Sequence, residues 1–282
     1  MALPAPARWG MIGSVAATLV LSTVPAARAA ETVDIALVLA VDVSLSMSPA
    51  ELEIQRHGYA AALTDDQVLD AIASGMHGKV AITYFEWAGF RTQRVIVPWS
   101  VIASREDAER VASQLTAAPS ASARRTSISG AIDFSLDLFA ESDFRSFKRV
   151  IDISGDGPNN QGPPVDGSRD RAIANGIIIN GLPLMTNGGF ASAYDVADLD
   201  RYYTNCVIGG PGAFMIPVNS WDQFPEAVRR KLVLELADAS LVQRASADVS
   251  RPPVMYAQSK SPYDCLIGEK MWRDRSWMWN AR

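Results

Sequence analysis

The 282-residue chain carries a formal net charge of −5, a balance that disfavours nucleic acid and anionic lipid as partners. Its length fits one generous domain, since α/β domains reach this size without splitting. Beyond the N-terminal segment no apolar run is long enough to span a bilayer.

Residues 1–29 have the form of a secretory signal: Arg8 in a short basic start, an apolar stretch from about Trp9 to Val24, and the small-residue pattern Ala27-Arg28-Ala29 for cleavage. A retained membrane anchor is the competing reading, but Gly, Ser and Thr interrupt the stretch, which is short for a span of about 20 residues. Export with cleavage predicts a periplasmic or secreted protein with no membrane span in the mature chain. The signal holds two arginines and no acid, so the −5 of the whole becomes −7 for the remainder. Cys206 and Cys265 are the two cysteines. In an oxidising compartment such a pair is most simply a disulfide tying the C-terminal tail to the body, two free buried thiols being the alternative.

In chain order, Ile35 to Val41 is an uninterrupted aliphatic run, the pattern of a strand buried on both faces, and it ends abruptly in Asp42-Val43-Ser44-Leu45-Ser46. In open α/β sheets the ligand crevice lies at the carboxyl ends of such strands. Asp-x-Ser-x-Ser offers one carboxylate and two hydroxyls, which suit a hard cation such as Mg²⁺; zinc would favour Cys or His. The same triplet also fits an ordinary polar loop before a capped helix. Ser48-Pro49-Ala50-Glu51 has the form of a capping box with Pro at the first helical position, and the helix it opens carries Leu52, Tyr59 and Leu63 toward the core.

Thr64-Asp65-Asp66-Gln67 predicts a second, short helix through Ile72, closed by Ser74-Gly75. Lys79 to Phe85 and Arg94 to Val97 read as a hairpin at one sheet edge, the second strand ended by Pro98. Ser104 caps a helix to about Thr116, and a loop from Ala117 to Arg125 delivers Thr126 just ahead of a helix marked by Ile128, Ile132, Leu136 and Phe139. Arg149 to Ser154 is a strand whose tip carries Asp156. Asp152, inside that strand, is a rival for Asp156, although a residue in mid-strand is better explained as paired or facing a helix cap. A helical stretch at Asp170–Ala174, strands at Gly176–Leu182 and Phe214–Val218, and a long helix capped by Ser220 and bearing Phe224, Val228, Leu232 and Leu236 complete the pattern. The alternation argues for a doubly wound, mainly parallel sheet with helices on both faces, spanning 30–244. From 245 to 282 the pattern fails, and an irregular tail is expected to pack on the domain through Trp272, Trp277 and Trp279.

Asp-x-Ser-x-Ser after the first strand, Thr126 before a middle helix and Asp156-Gly157 after a later strand occur in the order seen in von Willebrand factor type A domains, which this sequence resembles across about Asp34 to Ala239. More narrowly it is similar to a bacterial family of exported type A-like domains of unestablished function. The resemblance implies a metal-ion-dependent adhesion site. Ser44 and Ser46 would ligate one Mg²⁺ or Mn²⁺ through their hydroxyls, Thr126 would approach or retreat with the ligand state, and Asp42 and Asp156 would hold the ion directly or through water. Neutral hydroxyls leave such an ion electrophilic, with a position open to an Asp or Glu of a protein partner. The sequence departs from the family pattern at Leu45, at Arg124-Arg125 and at Ser154-Gly155. The two arginines would repel a cation or attract an acidic partner.

An enzyme is not expected. His57 and His77 are the only histidines, both in or beside the early helices, and neither Gly-x-Ser-x-Gly nor a phosphate-cradling loop occurs. The alternatives to a partner-capturing module are a structural envelope protein with a degenerate site and, less favoured, a metal-dependent hydrolase.

Overall fold

The computed structural model describes Met1 and residues 30–186, 196–236, 253–257 and 263–280, the side chains of 276–280 excepted. The expected export signal and the expected boundary at 244/245 fall outside the described residues. The elements are, in order, β1 (Glu31–Asp42), α1 (Pro49–Leu63), α2 (Asp66–Ala73), β2 (Val80–Trp87), β3 (Gln93–Ile102), α3 (Arg105–Ala117), α4 (Ile128–Ala140), β4 (Phe144–Gly155), α5 (Val165–Ala174), β5 (Ile178–Pro183), α6 (Leu199–Tyr202) continuing as a π-turn (Tyr203–Val207), β6 (Phe214–Met215), α7 (Phe224–Leu236), β7 (Met255–Tyr256) and α8 (Ile267–Asn280).

The strands form one sheet in the order β3-β2-β1-β4-β5-β6-β7. β1 pairs in parallel with β2 and β4, and β4-β5 and β5-β6 are also parallel; only the edge pairs β2-β3 and β6-β7 are antiparallel. This is the doubly wound α/β sheet that the alternation predicts. Side chains alternate across a strand, and β1 shows both faces covered. Ile35, Leu37, Leu39 and Val41 pack with Tyr59, Leu63, Val228 and Leu232, whereas Ala36, Val38 and Ala40 pack with Ile128, Ile132 and Tyr203. With both faces dry, β1 can only end at the sheet's rim, and its first polar residue there is Asp42.

Local signals place most helix starts. Ser48 and Glu51 form the reciprocal capping box on α1, Asp65 caps α2, and Ser104 caps α3. Three expectations need correction. Pro98 does not end β3, which continues to Ile102 with a register irregularity opposite Ile82–Tyr84; the strand lies at the edge, where a residue without an N–H costs no ladder bond. The stretch before β6 holds α6 and its π-turn, so it is not irregular throughout. The tail is not irregular in its described part either: residues 255–256 add an edge strand and 267–280 form α8.

Cys206, at the π-turn, is bonded to Cys265, just ahead of α8, across a separation of 59 residues. Closing a loop of this length removes conformational freedom from the unfolded chain. Replacing both by serine (Cys206→Ser, Cys265→Ser) is expected to lower the unfolding free energy by about 2–4 kcal/mol, measured by urea denaturation against the oxidised wild type.

Asp152 is buried beneath the sheet's other face, ion-paired to Lys231 of α7 at 2.6 Å, and Lys231 also pairs with Glu235. It is therefore a paired core residue, as its mid-strand position suggests. Burial, opposed by the Lys231 ammonium and reinforced by the Glu235 charge, pushes Asp152 from the ordinary 3.8 up to about 7. Tyr59 of α1 also faces it, its hydroxyl raised by burial and then by Asp152. A carboxyl raised on folding favours the folded state most at low pH, and that contribution is lost as pH rises toward the folded value. Wild-type stability is accordingly expected to fall relative to Asp152→Asn between about pH 4 and 7; parallel urea titration curves for the two proteins would contradict it.

Candidate metal centre

Three loops meet at the carboxyl ends of β1 and β4, and each is held by backbone bonds that its own sequence does not advertise. The 43–45 loop bridges to the loop before α4: Leu45 N–H donates to the Ala123 carbonyl at 2.9 Å, and Ala123 N–H to the Val43 carbonyl at 3.2 Å. Further along, Ser127 N–H donates to Ala88 at 2.8 Å, and Thr126 and Asn160 bond reciprocally, through Asn160 N–H to the Thr126 carbonyl at 2.8 Å and Thr126 N–H to Asn160 Oδ1 at 3.0 Å. The start of that loop is fixed from the other side. Arg56 and Arg94 both pair with the buried Glu86 carboxylate, at 2.6 and 2.7 Å, and both donate onward to the Pro119 carbonyl. Nothing in the local sequence around Thr126 announces those two arginines on one buried carboxylate.

These contacts bring Asp42, Ser44, Ser46 and Asp156 together. Ser44 N–H donates to Asp42 Oδ1 at 2.7 Å, the Ser44 and Ser46 hydroxyls are 2.8 Å apart, and Ser44 Oγ reaches Asp156 Oδ1 at 3.4 Å. Thr126 is buried and adjoins the cluster through the Ala123 bridge and Asn160; no hydrogen bond joins its hydroxyl to the other four among those described. Gln55 of α1 donates to the Asp42 carbonyl at 3.2 Å and so fixes the strand end. Gly155 explains the departure at Ser154-Gly155, because a Cβ there would lie 3.0 Å from the Tyr203 hydroxyl and 3.1 Å from Asp42 Oδ2.

Asp42 has no solvent exposure. Burial and then the Asp156 charge push its carboxyl well above the usual range, against the hydrogen bonds from Ser44 and the Asp156 backbone. Its Oδ2 has no partner in full hydrogen-bond geometry. Taking a carboxylate out of water costs several kcal/mol, and a hydrogen bond to a charged group returns only about 1.5–3 kcal/mol, so the contacts of Asp42 do not offset its burial. A cation beside Oδ2 would, and the surrounding donor set fits one. It is all oxygen, with two carboxylates and two hydroxyls. Among the described residues no group of three or more His, Cys, Asp and Glu is placed to hold a metal, so any ion here would have to use hydroxyls, the chemistry of a hard cation.

Of the two arginines before Thr126, Arg125 turns to the C-terminal helix. The Arg125 guanidinium lies 3.4 Å from the centroid of the Trp272 ring on α8. Arg125 also holds φ at 77°, a left-handed conformation that explains why glycine suits this place.

The sequence profile of a family described as "Protein of unknown function (DUF1194)" matches residues 32–240, most of the chain. The chain belongs to that family. No curated protein matches it. Among solved structures, the pilus adhesin SpaC from Lactobacillus rhamnosus GG is 11% identical, with 72% of this chain and 31% of that chain covered and a TM-score of 0.51. The von Willebrand factor type A protein from Catenulispora acidiphila is 11% identical over 72% of this chain and 43% of that one, with a TM-score of 0.49. Proximal thread matrix protein 1 of the mussel byssus, described with a zinc-occupied MIDAS motif, is 12% identical over 72% and 46%, with a TM-score of 0.49. The chain spans less than half the length of each of these structures. At such identities the likeness speaks for the fold alone, the doubly wound α/β sheet that the strand order already shows.

A non-glycine residue in the left-handed region costs about 1–2 kcal/mol. Arg125→Ala loses the Trp272 contact and keeps the backbone cost, whereas Arg125→Gly loses the contact and relieves it. Arg125→Gly is therefore expected to be the more stable of the two by about 1 kcal/mol in thermal or urea unfolding.

Proposed function

We propose that this protein is an exported binding module that holds one divalent cation, Mg²⁺ or Mn²⁺, in the site of Asp42, Ser44, Ser46, Thr126 and Asp156 and captures a protein partner through an acidic side chain. The observation that carries the reading is the buried Asp42 carboxylate, with Oδ2 short of a partner and Asp156 and two hydroxyls beside it. Ser44, Ser46 and Thr126 would contribute hydroxyl oxygens, and Asp42 and Asp156 would balance the charge directly or through water. A cation held by so few charges would supply an electrophilic centre to a partner's carboxylate.

Binding is favoured over hydrolysis by where the histidines lie. His57 faces solvent on α1, its Nδ1 within 2.9 Å of the Glu53 carbonyl. His77 donates its N–H to Asp34 near the start of β1 and stacks on Phe147, at the opposite end of the sheet from Asp42. Neither is hydrogen-bonded to the cluster among the contacts described. No helix among the described residues is long and apolar enough to cross a membrane.

Calorimetric titration with Mg²⁺ and Mn²⁺ tests the site. The wild type is expected to release or absorb heat and saturate, and Asp42→Ala and Ser44→Ala to lose the signal. Identical heats from wild type and variants would sink the metal reading and leave a structural role for the fold. Pull-down from envelope extract with Mg²⁺ and again with EDTA tests the capture step; a partner retained equally in both would show that recognition uses another surface.

A further inference from the structure

Helix α8 reaches the rim of the candidate site from the far end of the chain. Gly268 sits where a Cβ would overlap the Asn159 carbonyl oxygen, so only glycine permits the approach. One residue on, Glu269 Oε1 accepts from Asn159 Nδ2 at 2.7 Å, and Trp272 lies against the Arg125 guanidinium. The Cys206–Cys265 disulfide tethers the helix at its start.

Asn159 is fully buried, with each polar group of its side chain used. Its Oδ1 accepts from Ser129 N–H at 3.0 Å and Ser129 Oγ at 3.1 Å, its Nδ2 also donates to the Pro163 carbonyl at 3.2 Å, and its backbone N–H donates to the Tyr202 hydroxyl at 3.1 Å. Its neighbour Asn160 holds Thr126 in both directions. One unbroken set of contacts thus runs from α8 through Asn159 and Asn160 to Thr126 and Ser129, and a second runs from Trp272 to Arg125, whose left-handed backbone immediately precedes Thr126.

We propose that α8 is a disulfide-tethered brace that sets the cation affinity of the site, with Asn159 the positioning residue through which it holds the Thr126 loop. The inference rests on the metal-site reading above and deepens it. With α8 withdrawn, Asn159 Nδ2 loses its carboxylate partner and Arg125 loses the ring that holds it in place, so the loop bearing Thr126 is released to other conformations. Groups that orient ligands without touching the ion commonly change affinity about 10–100-fold when removed.

Gly268→Ala and Glu269→Ala disturb the brace without altering a proposed ligand, and reduction with dithiothreitol releases its tether. Mn²⁺ titration and amide hydrogen exchange of the metal-free protein are read together. The expected result for both variants and for the reduced protein is selective acceleration of exchange at Thr126 and Ser129, with the β1 and β4 amides unchanged, and about a tenfold or greater loss of Mn²⁺ affinity. If Gly268→Ala fails to fold, Glu269→Ala and the reduced wild type carry the test. A wild type that binds Mn²⁺ while the variants and the reduced protein bind it equally well overturns the brace and leaves the site intact. A wild type that binds no Mn²⁺ overturns the metal reading itself, and the affinity claim with it.

Discussion

The constraint on which the rest of the structure depends is the placement of a carboxylate, Asp42, at the tip of a strand buried on both faces. β1 leaves its dry run of Ile35 to Val41 only at the rim, so the polar side chain that follows emerges among loops instead of in water. Everything around it bears on that charge. Ser44 donates a backbone N–H, Gln55 fixes the strand end, and Gly155 allows β4 to end within contact of Oδ2. Asp156 works against it, since a second carboxylate at close range raises the cost of ionisation.

Asp42 is one of several buried carboxylates, and Asp152 shows how its setting differs from theirs. Asp152 lies on the opposite face of the sheet from Asp42, and α7 brings Lys231 to it at 2.6 Å. The chain thus supplies the counter-charge of Asp152 from within, and the result is a structural ion pair of the kind that cores tolerate when geometry is good. At Asp42 no cationic side chain plays that part among the contacts described; the nearest additions are hydroxyls and another acid. Asp152 has an ammonium beside it from within the fold, whereas Asp42 has hydroxyls and another acid.

Rigidity at the rim comes from groups far from the proposed ligands. The Arg56–Glu86–Arg94 assembly holds the Pro119 carbonyl, Ala123 bridges to the Ser44 loop, and Asn159 and Asn160 join two loops and α8. Loops that carry function gain precision when a packed scaffold uses up their backbone hydrogen bonds. The C-terminal segment belongs to this scaffold even though it lies outside the span matched by the family profile.

Local chemistry in the sequence determined the aliphatic run of β1, its end in Asp-x-Ser-x-Ser, the caps of α1 to α3 and the alternation of strands and helices, because each depends on residues a few positions apart. The order of the candidate residues 42, 44, 46, 126 and 156 was legible for the same reason, each lying at the end of a readable element. Only tertiary structure decided the rest. That Pro98 sits inside β3 depends on the strand being at an edge, and that Asp152 is paired depends on α7 crossing β4. The hub at Asn159 joins Glu269 from 110 residues away, and Gly268 looks like an ordinary tail glycine until the Asn159 carbonyl is placed against it. Such features arise from the closing of long loops over one another, and a residue's neighbours in the chain carry no record of which distant backbone will come to rest on it.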